Sequence, residues 1–144
     1  MKKLTRRILF LSALAILILT MAVSALANNA PVSINFAKAD PDGNLVWNGT
    51  VSGDVNGALE TVLLEARQSG PILHVVFDWI VTGDCSFTAR LKGTLHTQTG
   101  KVIMNGKVIE GCLQGAQVHE QGQLIDPANA GFEGTIRIAP ASAN

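Results

Sequence analysis

The sequence predicts an all-β domain of eight antiparallel strands closed into an up-and-down barrel, preceded by a secretory leader. Three observations carry that prediction. Beyond residue 27 apolar and polar residues alternate with a two-residue rhythm, and helical periodicity is almost absent. Turn-forming residues recur roughly every ten positions, the spacing of a sandwich or a barrel. The alternating segments follow one another as hairpins, and closure leaves no strand edge exposed. A two-sheet β-sandwich is the alternative. Glycines on the predicted inner faces (Gly49, Gly53, Gly106, Gly122, Gly134) favour the barrel, whose tapering interior needs missing side chains.

The first strand, Val32 to Lys38, places Val32, Ile34 and Phe36 on one face, and Asp40-Pro41-Asp42-Gly43 turns the chain. In the second, Leu45, Trp47, Gly49, Val51, Gly53 and Val55 face inward. Asn56-Gly57 then reads as a two-residue hairpin turn with both positions at positive φ. On that reading the third strand, Ala58 to Ala66, turns Val62 and Leu64 inward, and Glu60 shares their parity. Ser69-Gly70-Pro71 leads into the fourth strand, Ile72 to Thr82, with Leu73, Val75, Phe77, Trp79 and Val81 inside.

After Gly83-Asp84 the fifth strand turns Phe87, Ala89, Leu91 and Leu95 inward. Thr97-Gln98-Thr99-Gly100 closes the next hairpin, and the sixth strand presents Val102, Met104, Gly106 and Val108 to the core. Gly111 to Gly115 is a loop. The seventh strand is Ala116 to Leu124 and the eighth Phe132 to Ala139, joined through Asp126-Pro127-Ala128-Asn129-Ala130-Gly131. Residues 140–144 form a small, polar C-terminal tail. Outward positions hold Asn, Thr, Ser, Lys, Arg and Gln, and the chain has no Tyr. An outer-membrane barrel would instead show apolar residues and aromatic girdles outside, so a soluble domain is expected.

Residues 1–27 have the form of a signal peptide. Lys2, Lys3, Arg6 and Arg7 make a positive head, an apolar stretch runs from Ile8 to Val23, and Ser24-Ala25-Leu26-Ala27 supplies small residues for cleavage after Ala27. The stretch is shorter than the roughly 20 residues of a membrane span, which argues against an uncleaved anchor. Its strong apolarity favours the general secretory route over the twin-arginine route that Thr5-Arg6-Arg7 suggests. With no cysteine before Cys85, a lipoprotein is not expected. The product is a secreted, periplasmic or cell-envelope protein, with residues 28–139 forming one domain. Four of the eleven Lys and Arg leave with the leader, while all eleven Asp and Glu stay, for a net charge near −4. Such a domain has no basic stripe for nucleic acid and no attraction to an anionic membrane surface.

Cys85 precedes the fifth strand and Cys112 follows the sixth, so both lie at the open end of one hairpin. A disulfide is expected there, worth about 3 kcal/mol in the chain-entropy model. Two separate thiols are the alternative.

Candidate chemistry is sparse. His74, His96 and His119 lie on outer faces without carboxylate or thiolate partners at ligand spacing, so no metal is expected. No nucleophile elbow or glycine-rich phosphate loop appears, and no cofactor is called for. Glu120, however, falls on the inner face of the seventh strand with Ala116, Val118, Gly122 and Leu124. A carboxyl in an apolar cavity has a raised pKa and can exchange protons near neutrality. Glu120 is therefore the catalytic candidate, although a bulge could turn it outward. Trp47, Glu60, Phe77, Trp79, Leu91, Met104 and Glu120 are the candidate lining of any ligand cavity, the aromatic and aliphatic members also serving simply as core. Asn48-Gly49-Thr50 matches a glycosylation sequon, which matters only in a eukaryotic secretory pathway.

Three segments, Asn48-Gly49-Thr50-Val51-Ser52-Gly53-Asp54, Thr99-Gly100-Lys101-Val102-Ile103-Met104-Asn105-Gly106 and Phe132-Glu133-Gly134-Thr135-Ile136-Arg137-Ile138, resemble an exported bacterial group of unknown function. Their pattern is similar to the barrel of allene oxide cyclase and dirigent proteins. The resemblance implies a barrel whose interior takes an apolar or phenolic molecule, and it transfers no functional residue. The leading expectation is a non-catalytic exported barrel that binds a small hydrophobic molecule or acts through its surface. A cyclase- or isomerase-like enzyme using Glu120 is the alternative, and a structural envelope protein the third. A cavity of several hundred cubic ångströms with Glu120 on its wall would favour the enzyme. An apolar cavity without it would favour binding, and a dry or water-sized interior would exclude both.

Overall fold

The structure, a computed structural model, describes residues 30–141. The predicted leader, residues 1–27, and the end of the predicted tail lie outside them. Eight strands follow one another: β1 (Val32–Ala39), β2 (Val46–Gly53), β3 (Gly57–Ser69), β4 (Ile72–Gly83), β5 (Phe87–His96), β6 (Lys101–Gly111), β7 (Gln117–Asp126) and β8 (Gly131–Ala139). Each pairs antiparallel with the next, and β8 pairs with β1 to close the barrel. One short 3₁₀ turn, Pro127–Asn129, joins β7 to β8, capped by the Asp126 side chain. The eight-stranded up-and-down barrel expected from the sequence is therefore the fold.

The interior is filled as the alternation requires. Ile34 and Phe36 from β1, Val75, Trp79 and Val81 from β4, and Leu91 from β5 are buried. Met104 and Val108 from β6, Val118 from β7, and Ile136 and Ile138 from β8 complete the centre. Removing this apolar area from water, about 25 cal/mol per Å², is the main force holding the sheet closed.

Glycines let the strands approach. Gly122 and Gly134 pair directly across β7 and β8, and a side chain at either would meet the Phe36 ring. The gap they leave lets that ring lie against the barrel wall.

The third strand differs from its expected phase. Asn56-Gly57 is not a two-residue turn: Gly57 is already in β3, paired with Val51 and Gly83. A Cβ there would overlap the Thr82 carbonyl. The connection is instead Asp54–Asn56, in which Asn56 Oδ1 accepts from Gly53 N at 3.3 Å and Asn56 N donates to Asp84 Oδ1 at 3.0 Å. The extra residue shifts the alternation by one. Leu59, Thr61 and Leu63 face inward, while Glu60 and Leu64 are exposed. A bulge between Leu63 and Glu65 then lets β3 continue to Ser69. Leu45 also differs. It is 53% exposed at φ 66°, held in the β1–β2 turn by its N–H donating to Asp40 Oδ2 at 2.9 Å.

The two ends of the barrel are unlike. One end carries the β2–β3, β4–β5 and β6–β7 connections, and there Cys85 and Cys112 are joined with their Cα atoms 5.6 Å apart. Val55, Phe87 and Ala116 close this end from within. The other end, formed by the β1–β2, β3–β4, β5–β6 and β7–β8 connections, is ringed by the half-buried Leu63, Leu73, Leu95 and Phe132.

Candidate functional site

At the unbridged end the barrel opens into a cavity of about 70 Å³. Leu63, Leu73, Leu95 and Phe132 form its rim; Trp47, Val75, Phe77, Val102 and Met104 form its wall. Two ionisable side chains, Lys38 from β1 and Glu120 from β7, complete the lining.

Both reach the interior for the same elementary reason. Lys38 continues the inward parity of Ile34 and Phe36, and Glu120 continues that of Val118. They come from strands separated by β8, and Lys38 Nζ stands 3.8 Å from Glu120 Oε1.

The ammonium also lies against three aromatic faces. Nζ is 4.1 Å from the centre of the Trp79 ring and 5.3 Å from those of Phe36 and Phe77. Phe36 meets Trp79 edge-on at 4.9 Å, and Trp47 meets Phe77 likewise at 5.3 Å. These contacts fix the rings around the cation, where their negative faces offset part of its desolvation.

Burial dominates the protonation of the pair. Loss of water lowers Lys38 to about 8, against the attraction of Glu120. It raises Glu120 to about 7, against the attraction of Lys38. Burial thus moves both groups towards their neutral forms, and each opposes the shift of the other. Among the described residues, Glu120 Oε2, Trp79 Nε1 and Thr61 Oγ1 are buried with no hydrogen-bond partner. Thr61 and Trp79 are directly paired across β3 and β4. An unpartnered buried polar atom costs about 1–3 kcal/mol, so this spot is kept polar at the expense of stability.

Of the sequence-predicted lining residues, the structure brings Trp47, Phe77, Met104 and Glu120 to the cavity. Trp79 and Leu91 lie deeper, 1% and 0% exposed, and belong to the packed core. Glu60 is on the outer surface, opposite Asn48 and Ile80, because of the shifted phase of β3. Alternation alone did not single out Lys38, although its parity with Phe36 was legible. Thr61 was hidden by the misplaced turn. Trp47 also ties β2 to the β7–β8 connection, its Nε1 donating to Ala130 O at 2.9 Å.

The histidines lie away from the cavity. His119 bonds Asn105 and Gln121 on the outer face, and no group of three metal-ligating side chains occurs among the described residues. Compared with known proteins, the chain matches no family model, no curated protein and no solved structure.

Proposed function

We propose that this protein is an exported binding module that holds a small, largely apolar molecule in the barrel mouth, with the polar end of the guest directed to Lys38 and Glu120. The observation that carries this reading is the apolar cavity with an unsatisfied ion pair on its wall: Glu120 Oε2 has no partner among the described residues. Ligand sites commonly combine apolar walls with a few convergent polar groups.

The cavity volume sets the scale of the guest. About 70 Å³ exceeds the roughly 10–15 Å³ that one water needs, so the interior is not water-sized. Glu120 is on its wall, but the volume falls well short of the several hundred cubic ångströms that with Glu120 would favour an enzyme, and of pockets that enclose drug-sized molecules. The guest is then a molecule of a few heavy atoms, or the tip of a longer one projecting past Leu63, Leu73, Leu95 and Phe132. An apolar guest agrees with what the resemblance to allene oxide cyclase and dirigent barrels implies, and the leader supports export.

Titration with benzyl alcohol, followed by thermal unfolding and by the fluorescence of Trp47 and Trp79 together, tests the reading. A saturable rise in unfolding temperature that Met104→Trp abolishes is expected. No saturable response to benzyl alcohol, and no small molecule retained in native mass spectrometry of the purified protein, would overturn it.

The raised pKa of Glu120 beside the cavity favours one second reading: an acid–base enzyme acting on an apolar substrate. If Glu120→Gln folds and leaves turnover of such a substrate unchanged, that reading fails.

A further inference from the structure

We propose that Lys38 is a Schiff-base site: its amine condenses reversibly with a small apolar aldehyde or ketone in the mouth cavity, with Glu120 as the proton carrier. The inference rests on the binding reading above and names the chemical class of its guest.

Three features of the geometry support it. Lys38 lines an apolar cavity open at the unbridged end, so a carbonyl compound that enters there meets the Lys38 side chain. Glu120 Oε1 is 3.8 Å from that nitrogen, and Oε2 makes no hydrogen bond among the described residues. The carboxyl therefore has a free oxygen for a substrate while remaining close to the amine. Finally, the rings of Phe36, Phe77 and Trp79 surround Nζ at 4.1–5.3 Å. A cage that holds an ammonium serves equally for the iminium cation that a protonated Schiff base contains.

The steps balance without any further reactant. The neutral amine adds its lone pair to the carbonyl carbon, forming the C–N bond and opening the C=O π bond. The oxygen takes the proton that the now cationic nitrogen gives up, leaving a neutral carbinolamine beside protonated Glu120. Glu120 then protonates the carbinolamine hydroxyl, which leaves as water, and its carboxylate recovers a proton from nitrogen. The products are the imine and one water. Burial supports the first step, since desolvation lowers the Lys38 pKa and leaves a larger share of the amine neutral than in water. On the cavity wall the ionisable group facing Lys38 is Glu120.

Reductive trapping tests the proposal. The purified protein is incubated with benzaldehyde and sodium cyanoborohydride at pH 7.5, and the N-benzyl lysines are located by peptide mapping. Modification of Lys38 at least tenfold faster than of the exposed Lys92, Lys101 and Lys107 is expected, with benzyl alcohol protecting Lys38 selectively. Glu120→Gln should slow Lys38 labelling about tenfold and leave the exposed lysines unchanged. Labelling of Lys38 no faster than the exposed three overturns the proposal. The wild-type comparison of lysines within one molecule needs no variant to fold. If benzyl alcohol binds but Lys38 is not trapped, the Schiff base fails and the binding reading stands; if neither occurs, both fail.

Discussion

Lys38 Nζ and Glu120 Oε1 face each other at 3.8 Å inside the barrel, with both side chains at most 5% exposed. Among the described residues, no other charged side chain lines the mouth cavity. A buried pair of this kind is weak evidence for stability, because desolvating two charges costs as much as their attraction returns. Its presence in so small a core makes the pH dependence and the energetics of the pair the most informative measurements.

Stability should pass through a trough near pH 7–8. Glu120 titrates at 4.5 when unfolded and about 7 when folded. Between those values the folded state holds a proton that the unfolded chain has released, so stability falls as pH rises. Lys38 titrates at 10.5 when unfolded and about 8 when folded. Between those values the unfolded chain holds the extra proton, so stability rises with pH. Urea unfolding from pH 4.5 to 10.5 should show a dip of about 3 kcal/mol, since each pKa moves by about 2.5 at roughly 1.4 kcal/mol per pH unit. The Lys38→Met/Glu120→Met double variant should lack it. Identical pH profiles for the two proteins would contradict the assignment. Asp84 and Asp126, whose pKa values are lowered chiefly by hydrogen bonds involving Asn56 and Asn129, act only on the acid side of this window.

The pair should show strong energetic coupling. Glu120→Met or Lys38→Met alone strands the other ionisable group in the core and should cost about 2–4 kcal/mol. The double variant should lie within about 1 kcal/mol of the wild type or above it. Additive losses in a double-mutant cycle at pH 7.5 would show that the two do not interact.

The bridge at the opposite end should be separable from the mouth. Replacing Cys85 and Cys112 by Ala frees the chain between them, a sequence separation of 27, and should lower stability by about 3 kcal/mol. Binding of benzyl alcohol, measured below the unfolding transition, should be unchanged. A weakened guest affinity would mean that the two ends are coupled.

Close approach of strands should make some glycines irreplaceable. Gly106 pairs with Leu91, and a methyl there would overlap the Arg90 carbonyl. Gly106→Ala should cost about 2 kcal/mol through forced displacement of β5 from β6. Gly43, with open space around it, should tolerate Asn within about 1 kcal/mol. Chemical denaturation of both variants checks the contrast.

Much of this fold was legible because a half-buried strand writes its two faces into alternate residues. The runs Leu73-Val75-Phe77-Trp79-Val81 and Val102-Met104-Gly106-Val108 could point inward in only one phase. Glu120 was legible for the same reason, standing in phase with Val118. The phase of β3 was not, because Asn56-Gly57 carries a strong local turn signal that long-range contacts override. Asn56 is engaged by Asp84 from the next connection, and Gly57 is needed where Thr82 passes close. Glu60 exchanged places with Thr61 as a result. The Lys38–Glu120 pair required knowledge that β1 and β7, far apart in the chain, flank β8 in a closed sheet. Alternation places each residue on a face, but only closure puts the two side chains across a cavity.

Closure has one further consequence. Val32 pairs with Ile138 across β1 and β8, so the polypeptide enters and leaves the sheet side by side at the bridged end. A short linker joining these ends, with new termini cut at Gly70 in the opposite rim, would preserve every ladder of the barrel. Such a circular permutant should fold. It would put the new termini beside the mouth, where a fluorophore attached to either one could report whatever enters.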